Sequence, residues 1–189
     1  MTGHFAERNG FVVWFTGLSA AGKSTIAGLV ADELERHGLL VDRLDGDIVR
    51  THLSKGLGFS KEDRDTNIER IGWVASRLAR AGAAVFVSAI SPYDEARRKA
   101  RALVEEHSSF VLVHVATSLA ECERRDPKGL YAKAHAGEIK DFTGVDDPYE
   151  EPQDAELRIE TEGRTPQASA QFVITRLAEL ELIAEELAA

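Results

Sequence analysis

The chain has 189 residues, enough for one domain with a substantial core. Its hydrophobic content of 43 % and charged content of 29 % are those of a soluble globular protein, and no run approaches the roughly 18 apolar residues of a membrane span. A formal net charge of −9 argues against a general nucleic-acid-binding surface, which needs a basic face, but leaves room for one positive pocket on an acidic body.

Residues 1–10 are polar and lack the apolar core of a secretory signal; they read as a flexible lead into a single domain over 11–189. Residues 11–15, Phe-Val-Val-Trp-Phe, make a short, wholly apolar strand candidate. Gly17-Leu18-Ser19-Ala20-Ala21-Gly22-Lys23-Ser24 comes next, followed by Thr25. This is G-x-x-x-x-G-K-S, the P-loop pattern. Its glycines let backbone N–H groups turn onto phosphate oxygens, Lys23 supplies a mobile positive charge, and the Ser24 hydroxyl is placed to ligate Mg²⁺. A helix predicted over 24–37 aims its N-terminus at the phosphates, and Gly38 ends it.

A second strand is predicted over 39–44, running into Asp45-Gly46-Asp47, and a short helix over 48–53. After the turn Gly56-Leu57-Gly58-Phe59, Ser60 opens a long helix that ends near Gly82. Ser60 and Asp63 resemble a capping box, and Ile68, Ile71, Ala75 and Leu78 line one face. A third strand covers 84–89. Pro92 suits the first turn of a helix reaching about 107. A fourth strand (110–115) and a short helix (118–125) follow, the latter containing Cys122. This single cysteine excludes an internal disulfide framework and fits a reducing, cytoplasmic setting. Residues 126–149, rich in Lys, Gly and Asp, break the pattern and read as a lid beside the P-loop. A last strand over 157–161 and an amphipathic helix over 165–186, packing through Phe172, Ile174, Leu177 and Leu180, complete the chain. Strands alternating with helices predict an α/β fold, a mostly parallel sheet with helices on both faces, of the P-loop NTPase type.

In such sheets ligands bind beyond the carboxyl ends of the strands. The first strand ends in the P-loop, the second in Asp45 and Asp47, the third in Ile90 and Ser91. A carboxylate near the γ-phosphate can hold a metal-bound water or accept the proton of an attacking hydroxyl, while Asp-Gly-Asp can also be only a turn and an N-cap. Arg50, Arg64 and Asn67 suit a phosphate or sulfate, or make a solvated face among Lys61, Glu62, Asp63 and Asp65. Lys128, Lys133 and Lys140, with Arg124 and Arg125, either neutralise a transferring phosphoryl group when a lid closes or serve solubility. Phe142, in Phe142-Thr143-Gly144, is either a small anchor into the core or a platform for a base.

From about Gly10 onward the chain resembles the adenylylsulfate kinase (APS kinase) family. Gly-Leu-Ser-Ala-Ala-Gly-Lys-Ser-Thr (17–25), Leu-Asp-Gly-Asp-Ile-Val-Arg (44–50), Gly-Leu-Gly-Phe-Ser (56–60) and Asp-Arg-Asp-Thr-Asn (63–67) carry the resemblance. So do Ile-Ser-Pro-Tyr (90–93), Asp-Pro-Lys-Gly-Leu-Tyr (126–131) and Gly-Glu-Ile-Lys-Asp-Phe-Thr-Gly-Val-Asp-Asp-Pro-Tyr-Glu (137–150). The resemblance implies transfer of a phosphoryl group from MgATP to the ribose 3′-hydroxyl of adenosine 5′-phosphosulfate. It implies that residues 17–25 bind ATP and that Asp47 takes or orients the 3′-hydroxyl proton. Arg50, Phe59, Arg64, Asn67, Ile90, Ser91, Lys128, Lys140, Phe142 and Thr143 then hold the acceptor, with Phe59 and Phe142 around its adenine. The family's serine at Ser91 is often given as a phosphoserine intermediate; direct in-line transfer needs no such step, so hydrogen bonding is the expected role. The resemblance also implies a homodimer and an ATP sulfurylase partner, with no nucleic acid or membrane. Ile48, Ala20-Ala21 and Asp94 depart from the family pattern, and Asp94 is expected to put a negative charge near the substrate wall. A P-loop kinase for another small hydroxyl compound and a non-catalytic nucleotide-sensing module are the competing readings.

Overall fold

The computed structural model of the chain describes residues 10–188. In chain order the elements are β1 (Phe11–Thr16), α1 (Lys23–Arg36), β2 (Val41–Asp45), α2 (Gly46–His52), α3 (Lys61–Arg80) and β3 (Ala84–Ser88). They continue with α4 (Asp94–Glu105), β4 (Ser109–Val115), α5 (Leu119–Arg125), α6 (Leu130–His135), β5 (Leu157–Ile159), α7 (Pro166–Glu179) and a 3-10 turn (Glu185–Ala188). The five strands form one sheet in the order β2-β3-β1-β4-β5, and every pairing is parallel.

Strand β1 is central and buried along its whole length. Successive side chains of a strand point to opposite faces. Phe11, Val13 and Phe15 therefore join one core with Ile26, Val30 and Leu34 of α1 and Val173, Ile174 and Leu177 of α7. Val12 and Trp14 join the other, with Ile68, Ile71 and Ala75 of α3 and Ala96, Ala100 and Val104 of α4. This two-sided burial is why β1 is apolar without alternation. At the edge, β2 is half exposed and reads Val-Asp-Arg-Leu-Asp.

Local signals place most element ends. The helix expected over 24–37 closes at Gly38 (φ +80°), where the N–H groups of Gly38 and Leu39 donate to Glu35 and Leu34 carbonyls at 2.9 and 3.1 Å. Ser60 caps α3 by accepting from the Asp63 N–H at 3.2 Å. Asp63 does not return the bond to Ser60 but accepts from Gly58 N–H at 2.8 Å, which pins the preceding turn.

Four expectations need correction. Gly10 is not part of a loose lead: a Cβ there would sit 2.1 Å from the Ala79 carbonyl oxygen, so the packed fold begins at this residue, and 1–9 lie outside the described residues. Pro92 precedes the N-cap Tyr93 and is not in the first turn of α4. Residues 126–149 contain a helix, α6, whose first N–H groups are held by Asp126: Oδ1 accepts from Leu130 at 2.8 Å and Oδ2 from Ala132 at 3.1 Å. The helix expected over 165–186 stops at Glu179. Glu181 takes φ +58° and Leu182 N–H turns back to the Leu177 carbonyl at 3.0 Å, which buries Ile183 and leaves Leu180 exposed.

Helices α3 and α4 cross at Gly72, where a Cβ would lie 2.9 Å from both Cα and Cβ of Ala100. The helices can meet this closely only without a side chain there. Gly72→Val is expected to overpack the contact by about 1–3 kcal/mol. A thermal melt should show the midpoint falling by about 2–4 °C per kcal/mol; an unchanged or raised midpoint would contradict the close crossing.

Candidate active site

The parallel sheet brings the carboxyl ends of all five strands to one edge, and a cleft of about 1070 Å³ opens there. Its centre is the turn between β1 and α1. Gly17 leaves the strand at φ +147°, and a Cβ on it would come within 2.5 Å of the Val115 carbonyl oxygen of β4, so the chain can pass only as glycine. Residues 19–25 line the cleft, Gly22 caps α1, and Ala20 holds φ +60° without being glycine. Lys23 is buried, and its Nζ donates to the Leu18 carbonyl at 2.7 Å. Burial pushes its pKa down to about 8, against the opposing charges of Asp45 and Asp47.

Two carboxylates from the end of β2 divide the work. Asp45 is the N-cap of α2: Oδ1 accepts from Asp47 N–H at 3.0 Å, while Oδ2 accepts from the Ser24 hydroxyl at 2.6 Å. The plain capping role and a role at the P-loop thus fall on the same side chain. Asp47, 74 % exposed in its side chain, lines the cleft and pairs with Lys128 from the opposite bank.

The wall from β3 is Ala89, Ile90, Ser91 and Pro92. Ser91 is 1 % exposed and holds φ +48°, a strained turn for a non-glycine residue costing about 1 kcal/mol or more. Its Oγ accepts the Trp14 indole N–H at 2.9 Å, so the hydroxyl is tied into the core.

Helix α3 brings Arg64 and Asn67 to the cleft, both buried; the solvated-face alternative fails for this pair. Arg64 is the strut between α3 and the 126–149 segment. It donates to Phe59 O at 2.7 Å, to Thr143 Oγ1 and to Asp141 O, and lies 3.7 Å from Asp147 Oδ2. Tyr93 donates its hydroxyl to the same Asp147 at 2.9 Å, and burial with this bond pushes its pKa up to about 12. The Asn67 Oδ1 is buried without a hydrogen-bond partner. Arg50 donates to the Gly58 carbonyl at 2.9 Å and stacks 4.3 Å over Phe59; burial, then the Arg64 charge, lowers its pKa. Phe59 is 60 % exposed, and Phe142 meets Tyr131 edge-on at 5.0 Å. Both line the cleft, and Phe142 also packs against the core, which bears out its anchor reading.

Some expected residues lie elsewhere. Gly17 supplies the turn but is not part of the cleft lining, and Leu18 lies under Gly144 at a separate groove. Lys140 is exposed and off the cleft; of the basic residues in and before the 126–149 segment, Arg125 and Lys128 line it. Asp94 is not on the substrate wall: it opens α4 and pairs with Arg97 and Arg98 at 3.3 and 2.9 Å, so its negative charge is neutralised away from the cleft. Ile48 points to solvent. The cleft also includes Thr161, Arg164, Pro166 and Ser169, which sequence reasoning missed. The strand-end rule, applied to the last strand, reaches Thr161.

Known proteins share this arrangement. A profile of the adenylylsulphate kinase family matches residues 9–160. The chain is 54 % identical to the adenylyl-sulfate kinase of Picosynechococcus sp., covering 94 % of this chain and 98 % of that protein. It is 53 % identical to a probable bifunctional SAT/APS kinase of Sorangium cellulosum, over 91 % of this chain and 29 % of that longer protein. The structure of the Mycobacterium tuberculosis APS kinase CysC in complex with AMPPNP and APS superposes with a TM-score of 0.87 at 48 % identity, covering 89 % of this chain and 98 % of that one. With a P-loop at the centre of a 2-3-1-4-5 parallel sheet and matches along most of its length, the chain belongs to the adenylylsulfate kinase family.

Proposed function

We propose that the chain transfers the γ-phosphoryl group of ATP to the ribose 3′-hydroxyl of adenosine 5′-phosphosulfate, giving ADP and 3′-phosphoadenosine 5′-phosphosulfate. The observation that carries this reading is one cleft holding Lys23 and Ser24 together with Asp47, Phe59, Arg64, Asn67 and Phe142. The sheet order supports a reading with the two substrates on opposite banks of the P-loop. Thr161, Arg164 and Ser169 lie on the β5 side and take the ATP base; Asp47, Ile90 and Ser91 lie on the β2–β3 side with the two aromatics and take the acceptor. Two aromatics around one subsite suit a nucleotide acceptor better than a sugar acid.

Residues 19–25 cradle the phosphates and Lys23 binds the outer ones. The Ser24 hydroxyl donates its hydrogen bond to Asp45, which leaves its oxygen lone pairs as acceptors for a hard cation. Mg²⁺ would arrive on the ATP phosphates, with the Ser24 hydroxyl as its protein ligand. When bound, Mg²⁺ neutralises charge on the phosphates. Asp47 accepts the proton of the attacking hydroxyl, and Lys128 orients that carboxylate. Segment 126–149 acts as a lid, rooted through Arg64 on Asp141, Thr143 and Asp147. Ser91 shapes the acceptor wall through hydrogen bonding and takes no phosphoryl group, its Oγ being buried and engaged by Trp14. No described helix is long and apolar enough to cross a membrane. Under the same proposal the protein works in the cytoplasm, as a homodimer, on an acceptor supplied by an ATP sulfurylase.

A coupled ADP-release assay with MgATP should show turnover with adenosine 5′-phosphosulfate and none with adenosine 5′-monophosphate or gluconate. Asp47→Asn should lower kcat by about 10²- to 10⁴-fold while ATP still binds. Turnover with gluconate would move the chain to another kinase class, and ATP binding without any turnover would make it a sensing module.

Lys23 sets a pH limit. The phosphates need the charged amine, and the free protein loses that charge as pH rises through about 8. ATP binding above this pH must take up a proton, so the Kd for ATP is expected to be flat from pH 7 to 8 and to rise about tenfold per pH unit above it. Calorimetric titration reads this; a Kd constant to pH 9.5 would contradict it.

A further inference from the structure

Arg97 lies on α4, outside the cleft lining, and is 2 % exposed. Its guanidinium serves two chain segments far apart in sequence. Nη1 donates to the Ser91 carbonyl at 2.7 Å, and Nη2 donates to the Glu150 carbonyl at 2.7 Å and to Asp94 Oδ1 at 3.3 Å. Nε is buried with no hydrogen-bond partner, so the group is not placed for its own best solvation. It sits where two carbonyls must be held.

Those carbonyls belong to a closed ring of contacts. Glu150 N–H donates to the Pro92 carbonyl at 2.8 Å, and Asp94 N–H donates to Glu150 Oε2 at 2.7 Å. Tyr149 donates its hydroxyl to Thr16 Oγ1 at 3.0 Å, and Thr16 donates onward to the Ile90 carbonyl at 2.6 Å. The ring joins the end of β1, the β3 wall and the root of the 126–149 segment. Arg97 is the cation among these contacts and bonds both the Ser91 and the Glu150 carbonyls. The Ser91 turn it holds is left-handed and does not persist without support.

We propose that Arg97 is a positioning residue for the acceptor side: it fixes the Ser91 turn and the 149–150 root of the lid in one register, without touching either substrate. The inference rests on the acceptor lying on the β2–β3 bank, as argued above. Loosening Arg97 displaces that wall and the lid root together. The phosphate cradle at 19–25, built on β1 and α1, stays in place.

The test uses the full chain as Arg97→Met and Arg97→Lys beside the wild type, each also in a Trp73→Phe background. Trp73 is exposed and Trp14 is fully buried; they are the two tryptophans of the sequence, so the background isolates the indole that binds Ser91. For Arg97→Met, kcat/KM for adenosine 5′-phosphosulfate should fall about tenfold or more. The Kd for ATP should stay within about twofold, and Trp14 emission should shift to the red as the Ser91 contact loosens. Arg97→Lys, which can keep one carbonyl, should fall between; if the Met variant does not fold, the Lys variant carries the test. Unchanged kinetics and emission, or equal losses for ATP and the phosphosulfate, would overturn the proposal. A wild type inactive on the phosphosulfate would instead overturn the acceptor assignment, and Trp14 emission alone would then decide the role of Arg97.

Discussion

The structure depends on how β1 ends. Its strand runs between β3 and β4, and at Gly17 the β4 carbonyl of Val115 fills the space a side chain would need. The backbone must therefore turn without a Cβ, which starts the phosphate loop at the centre of the sheet edge. Every other strand ends at that edge by parallel pairing, so carboxylates from β2, the wall from β3 and Thr161 beyond β5 arrive around the same loop. The loop's lysine is buried against the Leu18 carbonyl, and that burial lowers its pKa.

Around this centre the acidic and basic groups divide by exposure. Asp45 is used twice, on the α2 backbone and on Ser24, which leaves Asp47 as the carboxylate facing the open cleft. Ser91 is the reverse case: a hydroxyl in the right region, but turned into the core on Trp14. A buried, engaged hydroxyl is a poor nucleophile, while a carboxylate that opens on the cleft can meet a substrate hydroxyl. The geometry therefore favours direct transfer between two bound nucleotides.

Much of this was legible in the sequence, for local reasons. The P-loop, the strand ends and the caps at Ser60 and Gly38 are signals within a few residues, and they mark the sheet edge. What was not legible depends on partners far along the chain. Lys61, Glu62, Asp63 and Asp65 make the start of α3 look solvated; Arg64 is buried only because Thr143 and Asp141, nearly eighty residues on, accept from it. Helix α6 was missed because Asp126 caps it from four residues ahead, through a turn that looks like loop. The end of α7 carries no glycine, since Glu181 takes the left-handed position instead. Asp94 looks like a charge on the substrate wall until Arg97 and Arg98 are seen to neutralise it.

The measurement that bears most directly on the account is the stereochemical course at phosphorus, using ATP made chiral at the γ-phosphate with oxygen isotopes and adenosine 5′-phosphosulfate as acceptor. Each in-line displacement inverts phosphorus. Direct transfer in the cleft, with Asp47 on the hydroxyl and Ser91 held in the core, predicts inversion at a new 3′-phosphate. Retention, or phosphate trapped on Ser91, would mean two displacements and would contradict it.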